Sequence, residues 1–478
     1  MFDIDKDTFK LIDILQKGEE KYHLFTTEKD FSVEANFQKS INNNYILTFT
    51  LQPEENANID IDYFFQRPFI LANQGLKIFV QNTETKSVSQ GIKKDSPCKF
   101  SIEVKAFKAD VDDSLWLDSK QTAYFKYLED DFKPYRSGIR FDLTTKENSN
   151  VFFNAVQLKV DNVNLIFYHE NIDEKFGYFI FRPNGLIDHK KFQHIVNSII
   201  TALGFISGYY MQDSVYYFSQ KEINGLRPLT FRYENINHSF NTNAPIIDGG
   251  HYQDVPIENH QLSSNQFNNL VNLFYKSEEY SRSANLLINA GKLNGCSKAS
   301  LGVVALETIT GKLKDVSFSG QIIEDKSVSR SLLYQLKKTV KAFSDRIDKE
   351  KIRIFTNKID QLNNIPNSNK LEDSFQKLDI TLDEEDRYCI SCRNKFLHGK
   401  LPRKDNNTWV TEDELLNIVA NRVVMLSSML LLRMADYKGK VIDRGMTEVI
   451  KLRMIRNCQK VPNGNILRNV VENKENDK

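Results

Sequence analysis

Cysteine is scarce in this sequence. The chain of 478 residues has five cysteines, at positions 98, 296, 389, 392 and 458. An odd number of thiols, unevenly spaced along a chain of this size, is not typical of a disulfide framework. We therefore expect a fold that is held together by its hydrophobic cores.

Long apolar runs are also missing. The longest, residues 423–432, is interrupted by Ser427 and Ser428 and is too short to span a bilayer. Residues 1–15 carry acidic side chains and lack a basic segment followed by an apolar one, so they do not resemble a signal peptide. These absences predict a soluble, cytoplasmic protein with no membrane partner.

An excess of charge of either sign is absent as well. The 64 basic and 63 acidic residues leave a formal net charge of +1. A broad positive surface for nucleic acid is thereby excluded. If the protein binds RNA, a local basic patch has to supply the contacts to phosphate.

Apolar and aromatic residues are plentiful. Hydrophobic residues make up 40% of the chain, charged residues 27% and aromatic residues 11%. The 33 Phe and 19 Tyr are typical of a protein with a large β-rich portion. A chain of this length is too long for one ordinary core, so we expect two or three domains.

The first part of the chain alternates between apolar and polar residues. Short β-branched or aromatic runs, such as residues 45–51, 99–107 and 163–168, recur between turns rich in Asn, Asp, Gly and Pro. Asp161 and Asn162 form one such turn between two runs. Many short runs of period two predict an antiparallel sandwich or barrel, which we assign to residues 1–185.

Residues 186–260 read as a connecting region. Apolar residues recur at helical spacing over 187–211, and strand-like runs follow near 215–218 and 226–233. Residues 235–260 are polar and rich in Asn, Pro and Gly, which is typical of a linker or a long loop. We expect this region to join two domains.

Beyond it the pattern is helical. Helices are predicted over residues 267–293, 297–313, 328–362, 383–398, 412–435 and 447–454. The longest carries an apolar stripe that consists of Leu332, Leu336, Val340, Phe343 and Ile347. We predict a helical bundle over residues 261–456 and a polar, frayed tail over 457–478. The fold class is therefore α+β, with a β-rich domain followed by an all-α domain.

One segment of the helical part carries a candidate for chemistry. Arg393 and Asn394 are followed by His398 at what reads as a helix end, because Gly399 occupies a C-cap position and Pro402 follows. Backbone carbonyl dipoles at such an end favour a protonated imidazole. His398 is therefore a candidate for proton transfer near neutral pH.

An arginine and a histidine are sufficient for RNA cleavage that needs no metal ion. The imidazole transfers the proton of the ribose 2′-hydroxyl or of the leaving oxygen, and the guanidinium holds the phosphate. Five helical positions correspond to about 140° of rotation, so one pair does not converge on one face. A second copy related by a two-fold axis would complete the site, which predicts a homodimer.

The pattern of Arg393, Asn394 and His398 at a helix end inside a helical bundle resembles the HEPN superfamily. The resemblance covers roughly residues 265–435. It implies a dimeric endoribonuclease with no metal and no cofactor, in which these three residues are catalytic. The helix around Glu307 resembles the family helix that carries an acidic residue, so Glu307 is a candidate partner for Arg393.

Four basic residues surround the motif and are candidates for RNA contacts. They are Lys395, Lys400, Arg403 and Lys404. A local cluster of this kind supplies the phosphate contacts that a nearly neutral chain otherwise lacks.

The order of a β-rich domain, a connecting helix and a HEPN-like bundle resembles the ApeA-type proteins of bacterial abortive-infection defence. That resemblance implies an N-terminal domain that senses a phage or regulatory protein, or restrains the nuclease. It also implies cleavage of cellular RNA by the bundle. Structured RNA such as tRNA is the expected substrate, because exposed loops leave the 2′-hydroxyl free to align. The expected product ends are 2′,3′-cyclic phosphates.

Other interpretations of the same residues stay open. Arg393 could be a surface residue paired with Asp386 or Glu385, and Cys389 with Cys392 could be half of a zinc or redox motif rather than packing residues. The bundle could be a non-catalytic dimerisation scaffold beside a β domain that binds a ligand, a protein or a glycan, because a fold does not fix a function.

Overall fold

The computed structural model divides into two compact units. The first contains residues 1–245, 249–251 and 261–275, and the second contains 246–248, 252–260 and 276–478. The structure describes residues 3–18, 21–26, 32–40, 44–52, 69–73, 76–90, 96–109, 113–128, 138–140, 145–147, 150–152, 155–172, 175–211, 215–221, 229–235, 240–247, 261–314, 322–323, 325–363, 367–398, 400–402, 410–456 and 466–471.

The first unit is mainly β. Its strands are β1 (Lys21–Thr26), β2 (Ser32–Lys39), β3 (Tyr45–Leu51), β4 (Phe69–Asn73), β5 (Leu76–Gln90), β6 (Cys98–Lys108), β7 (Lys120–Leu128), β8 (Thr145–Glu147), β9 (Asn150–Phe152), β10 (Ala155–Val160), β11 (Val163–Asn171), β12 (Phe176–Pro183), β13 (Tyr209–Tyr210), β14 (Val215–Gln220), β15 (Leu229–Glu234) and β16 (Phe240–Asn241). Its helices are α1 (Asp3–Lys17), α2 (His189–Ser207) and α3 (Ser264–Lys276), the last of which ends at the boundary between the units.

Six of these strands close into an antiparallel barrel. They pair in the order β1-β2-β3-β6-β5-β4, and β4 returns to pair with β1. Beyond Val104, which pairs with Tyr45 at the start of β3, the last residues of β6 pair with β15. From β15 the sheet continues through β14, β7, β12 and β11 to β10. Along β3 every second residue, from Tyr45 to Leu51, is buried, which is the pattern of a strand with one face towards the core.

Helix α1 packs against the tyrosine-rich part of this core. Ile12 and Leu15 are buried in it. Gln16 donates hydrogen bonds to the hydroxyls of Tyr178 and Tyr216, at 3.2 and 3.1 Å. The amide thereby satisfies hydroxyls that would be costly to leave unpaired in an apolar interior.

Two local predictions are confirmed, the turn at Asp161 and Asn162 and a helix within residues 187–211. Asp161 and Asn162 both have positive φ, 44° and 63°, and form the two-residue turn of the β10–β11 hairpin, as its twist requires. Asp188 accepts hydrogen bonds from the first backbone amides of α2, and Gly208 ends that helix with φ of 74°.

The observed boundary differs from the expected one at residue 185. Strands β14 and β15 belong to the same sheet as β7 and β6, so residues 186–245 are part of the β-rich unit rather than a connector. Helix α3 also belongs there, because the backbone of Lys159 on β10 bonds to Asn268 and Asn272 of α3. Strand pairing across long sequence distances, which periodicity does not reveal, accounts for the difference.

The second unit is mainly helical. Its helices are α4 (Glu278–Ala290), α5 (Gly295–Lys314), α6 (Lys326–Lys341), α7 (Lys349–Gln361), α8 (Asn367–Lys377), α9 (Glu384–Ser391), α10 (Arg393–Leu397), α11 (Glu412–Met434) and α12 (Arg444–Ile455). A short pair of strands, β17 (Lys440–Ile442) and β18 (Leu467–Asn469), completes it. Together the two units confirm the α+β fold class.

Helix α11 is the central helix of this bundle. It packs closely against α5. Of its most apolar stretch of 18 residues, 78% is buried inside the protein. By length and composition α11 could cross a membrane, but this degree of burial is the behaviour of a core helix.

Three predicted helices are interrupted. The expected helix 267–293 breaks at Ser277, whose hydroxyl accepts from the backbone amide of Tyr280 and so starts α4. The expected helix 328–362 is two helices, because Asp348 caps the start of α7. The expected helix 383–398 is divided at Cys392 into α9 and α10. In the first two cases a polar side chain competes for backbone amides and restarts the helix.

The predicted polar tail is wrong in part. Leu467 and Val470 are buried, and β18 pairs with β17. Residues 466–471 are therefore an ordered part of the second unit. The apolar side chains at 467 and 470, separated by polar ones, were too short a pattern to indicate a strand.

Candidate functional site

The candidate motif lies on a short helix that the core holds in place. Cys389, Cys392 and Phe396 are buried in one apolar cluster with α5 and α11 residues. Burial raises the pKa of both thiols, most strongly that of Cys389, so the sulfurs stay protonated. The interpretation of Cys389 and Cys392 as packing residues is confirmed, and they anchor both ends of the break between α9 and α10.

Arg393 begins α10 and is buried, with 8% of its surface exposed. Its Nε lies 3.7 Å from Oε1 of Glu307, which projects from α5. The proximity of Glu307 to Arg393 agrees with the pairing that the resemblance implied. The interpretation of Arg393 as a surface residue is wrong, because the residue is buried, and Asp386 is bound to Arg422 and Arg468.

His398 follows the end of α10 directly. Its backbone amide donates to the carbonyl of Lys395 at 3.2 Å, and its side chain is exposed to solvent. A buried guanidinium and an accessible imidazole thus stand at opposite ends of one helix of five residues. A phosphate that approaches from solvent can reach the imidazole, while Glu307 limits the positions open to the guanidinium.

The remaining motif residues are only partly described. The backbone of Asn394 lies in α10, but its side chain is outside the described residues. Lys395 is half-buried, and the backbone amide of Lys400, an exposed residue, donates to the carbonyl of Lys395 at 2.7 Å. Gly399, Arg403 and Lys404 lie outside the described residues.

An ionic cluster at α9, the helix that precedes the motif, was not found from the sequence. Asp386 on α9 is fully buried and accepts from Nε of Arg422 on α11 and from Nη1 of Arg468 on β18, each at 2.7 Å. Arg422 also pairs with Asp383, and its Nη1 lies 3.7 Å from Asp443 at the start of α12. Four elements of the second unit therefore meet at these charges.

The electrostatics of the cluster favour its charged form. Burial alone would raise the pKa of Asp386, but hydrogen bonds and charge from Arg468 and the charge of Arg422 lower it below the usual carboxyl value. One residue of the sequence could have indicated the cluster. Arg422 stands inside the apolar run of α11, where a charge requires a buried partner.

The first unit contains a separate cleft of about 530 Å³ on the outer surface of the barrel. Its walls include Glu34 and Asn36 of β2, Thr48 and Thr50 of β3, and Lys99 of β6. These are alternate, outward-facing positions on neighbouring strands. Their donors and acceptors could hold a polar ligand, and so the cleft is the candidate ligand site of this unit.

The chain matches no protein-family model, no curated protein and no solved structure. Among the described residues, no group of three or more His, Cys, Asp or Glu is arranged to hold a metal ion.

Proposed function

We propose that this chain is an endoribonuclease of the HEPN type, which uses Arg393 and His398 and needs no metal ion. The arrangement of these two side chains is the observation that carries the proposal. Arg393 is 8% exposed beside Glu307, and His398 is exposed at the other end of the same short helix. Cleavage through the ribose 2′-hydroxyl requires a positioned cation and an accessible proton carrier, and these two residues are of those types.

The reaction is an internal transesterification. A base takes the proton of the 2′-hydroxyl, and the 2′-oxygen then attacks the adjacent phosphorus while the bond to the 5′-oxygen breaks. The leaving 5′-oxygen receives a proton, and the products are a 2′,3′-cyclic phosphate and a 5′-hydroxyl. His398 carries one of these protons, and the Arg393 guanidinium stabilises the charge on the phosphate oxygens.

Two copies of the chain complete the site in this proposal. A helix of five residues separates Arg393 from His398, so the arginine of one copy works with the histidine of the other. Asn394 supports the pair, and Lys395, Lys400, Arg403 and Lys404 contact the RNA backbone. We infer tRNA or another structured cellular RNA as substrate, cytoplasmic action in anti-phage abortive infection, and an N-terminal unit that senses a phage or regulatory protein.

Cleavage by the purified full chain tests the proposal. RNA incubated with the wild-type protein in EDTA should acquire 2′,3′-cyclic phosphate ends. Arg393→Ala and His398→Ala should each lower the rate by at least about a hundredfold, since general acid–base catalysis alone contributes about that much. Two matched controls, the exposed residues His23→Ala and Arg387→Ala, should retain the wild-type rate.

Equal rates in the wild type and in both site variants would contradict the catalytic assignment. Cleavage that is lost in EDTA and restored by a divalent ion would contradict the metal-independent reaction.

The cleft on the barrel favours a second candidate function. In that alternative the helical unit is a non-catalytic dimerisation scaffold, and the β-rich unit binds a polar ligand or a protein in the cleft of about 530 Å³. The two candidates differ in one observable. If the chain is a scaffold, Arg393→Ala and His398→Ala should leave its biological effect unchanged. If it is a nuclease, each variant should abolish that effect.

A further inference from the structure

Helices α6 and α7 form a helical arm, which we define as residues 325–363. Among the described elements, these two helices pack chiefly against each other. Asn363 joins the base of the arm: its Nδ2 donates to Ser329 Oγ at 2.6 Å, and its Oδ1 accepts from the backbone of Ile323 at 2.7 Å. Lys337 and Asp360 pair across the two helices. The arm is thus a defined hairpin with a fixed base.

The arm and its base expose an unusual amount of apolar surface. Sixteen large hydrophobic residues are exposed in the described parts of the chain, and eight of them lie within residues 322–363. They are Ile322, Val328, Leu332, Tyr334, Phe343, Ile354, Phe355 and Leu362. A concentration of exposed apolar side chains on one hairpin is typical of a site for a protein or a membrane.

The stripe that the sequence analysis identified is therefore not a core stripe. Leu332 and Phe343 are 47% and 45% exposed. The packing between α6 and α7 uses neighbouring positions such as Ser329 and Ile359, which are buried. Periodicity correctly showed one apolar face but did not show that two of its five residues are exposed and the other three only half-buried.

Cationic side chains are interleaved with the apolar ones on α7. Lys351, Phe355, Lys358 and Leu362 follow one another at spacings of four, three and four residues, and all four are exposed. Residues at such spacings share one helix face. In the turn that follows α6, the exposed Phe343 is followed three residues later by the exposed Arg346.

The charge of the arm differs from that of the rest of the chain. Residues 325–363 contain ten Lys or Arg and five Asp or Glu, an excess of five positive charges, although the whole chain carries only +1. The remaining residues are consequently net acidic. The positive charge is thus concentrated on the same hairpin that exposes the apolar side chains.

We propose that the helical arm binds the surface of a lipid bilayer that contains anionic headgroups. An amphipathic helix with Phe and Leu on one face and Lys or Arg beside them lies in the interfacial plane of such a bilayer. Phe355 and Leu362 enter the acyl boundary there, and Lys351 and Lys358 extend to the headgroup phosphates. Charge complementarity holds the arm at the bilayer surface, and burial of the apolar side chains inserts the arm below the headgroups.

Charge favours an anionic bilayer over the arm of a second copy of the chain as the binding partner. Two arms placed face to face would bring two surfaces of the same excess positive charge together, with lysines at the rim of each. A nucleic acid would satisfy the cations but would offer no hydrocarbon for Val328, Leu332 and Leu362. Of these three occupants, an anionic bilayer surface complements both features. The proposal goes beyond the nuclease function and revises the expectation of no membrane partner, which considered spanning segments alone.

Vesicle co-sedimentation of the purified full chain tests the proposal. The probes are vesicles of phosphatidylcholine alone and vesicles in which about a third of the lipid is phosphatidylglycerol. The wild type should sediment with the anionic vesicles and stay in solution with the neutral ones. Lys351→Gln with Lys358→Gln should lower the partition coefficient about fivefold per lysine removed.

Apolar variants complete the design. Leu332→Ser with Phe355→Ser should lower partition at least about tenfold, since both side chains would otherwise be buried in lipid. Leu186→Ser is the matched control, because Leu186 is 65% exposed in the first unit and lies outside the arm. Circular dichroism confirms that each variant is folded.

Three results would overturn the proposal. The first is a wild type that does not bind anionic vesicles. The second is binding that both arm variants leave unchanged. The third is a change of molar mass in solution, or a loss of RNA binding, in the arm variants without any vesicle binding by the wild type. The last result would assign the arm to self-association or to RNA.

Discussion

Hydrogen bonding and burial together determine the tautomer and the charge of His189. Its Nδ1 lies 3.0 Å from Oε1 of Gln121. The Gln121 Nε2 is committed to the carbonyls of Trp116 and Ile187 and to Ser119 Oγ, so its Oε1 is the acceptor. His189 must therefore carry its proton on Nδ1. Burial, and to a smaller extent the charge of Arg232, lower its pKa from 6.5 to about 4, and so the ring is neutral.

The lowered pKa of His189 predicts a pH dependence of stability. Between about pH 6.5 and pH 4 the unfolded state takes up a proton that the folded state does not, so stability falls as the pH falls. The loss between about pH 7.5 and pH 5 should be about 2 kcal/mol for the first unit. In His189→Asn, which can still donate to Gln121 but does not titrate, that part of the pH dependence should disappear.

Trp116 provides the measurement. Its ring centroid lies 4.7 Å from that of His189, and the chain has only two tryptophans. In a Trp409→Phe background, urea unfolding followed by fluorescence therefore reports on the neighbourhood of His189. An equal loss of stability on acidification in the His189→Asn protein would show that other groups cause it.

At the scale of elements, the Asp386 cluster ties the helix that precedes the motif to three other elements. Asp386 is the carboxylate that Arg422 and Arg468 share, and loss of one member of a buried ion pair typically costs about 3–5 kcal/mol. Asp386→Asn should therefore lower the stability of the second unit by an amount of that order. It should also increase hydrogen exchange of the backbone amides of α9 and α10, because Arg422 and Arg468 no longer hold α9.

Asp383→Asn is the matched control for this prediction. Asp383 belongs to the same cluster, but its side chain is 52% exposed, so solvent can replace its contact with Arg422. Its effect on denaturant unfolding should be below about 1 kcal/mol, apart from any change in the capping of α9. Similar effects of the two variants would show that burial of Asp386 is not what matters.

The elements themselves were predictable to different degrees. Alternation located the strands around residues 45–51 and 163–168, and helical spacing located α2 within residues 187–211, because these signals are local. The interruptions at Ser277 and Asp348 were missed, since a single polar side chain ends a helix within an otherwise continuous pattern. Closure of the barrel through the pairing of β4 with β1 depends on contacts between distant segments, which no local signal carries.

The residue types of the candidate site could be predicted from the sequence, but the buried ion pairs that hold the preceding helix could not. Arg393, His398 and Glu307 were identified by pattern and resemblance, and Glu307 does lie beside Arg393. The buried partners of Asp386 were not identified, because Arg422 and Arg468 are 36 and 82 residues away from it. Sequence spacing shows what one helix presents to solvent, whereas buried charge pairs join elements that meet only after folding.

At the scale of the whole molecule, the proposed nuclease site is shared by two copies of the chain. Arg393 and His398 then come from different chains at each of the two sites of a dimer. A mixture of Arg393→Ala and His398→Ala proteins contains dimers in which one site has both native residues and the other has neither. Such a dimer should have about half the activity of a wild-type dimer, whereas neither variant alone should have any.

The most direct test is therefore complementation of the two inactive variants. Equimolar Arg393→Ala and His398→Ala proteins are mixed, allowed to exchange subunits, and assayed in EDTA for new 2′,3′-cyclic phosphate ends on RNA. With random exchange half of the dimers are mixed, and so the account predicts recovery to about a quarter of the wild-type rate. No recovery despite demonstrated subunit exchange, with both variants inactive alone, would contradict a site built from two chains.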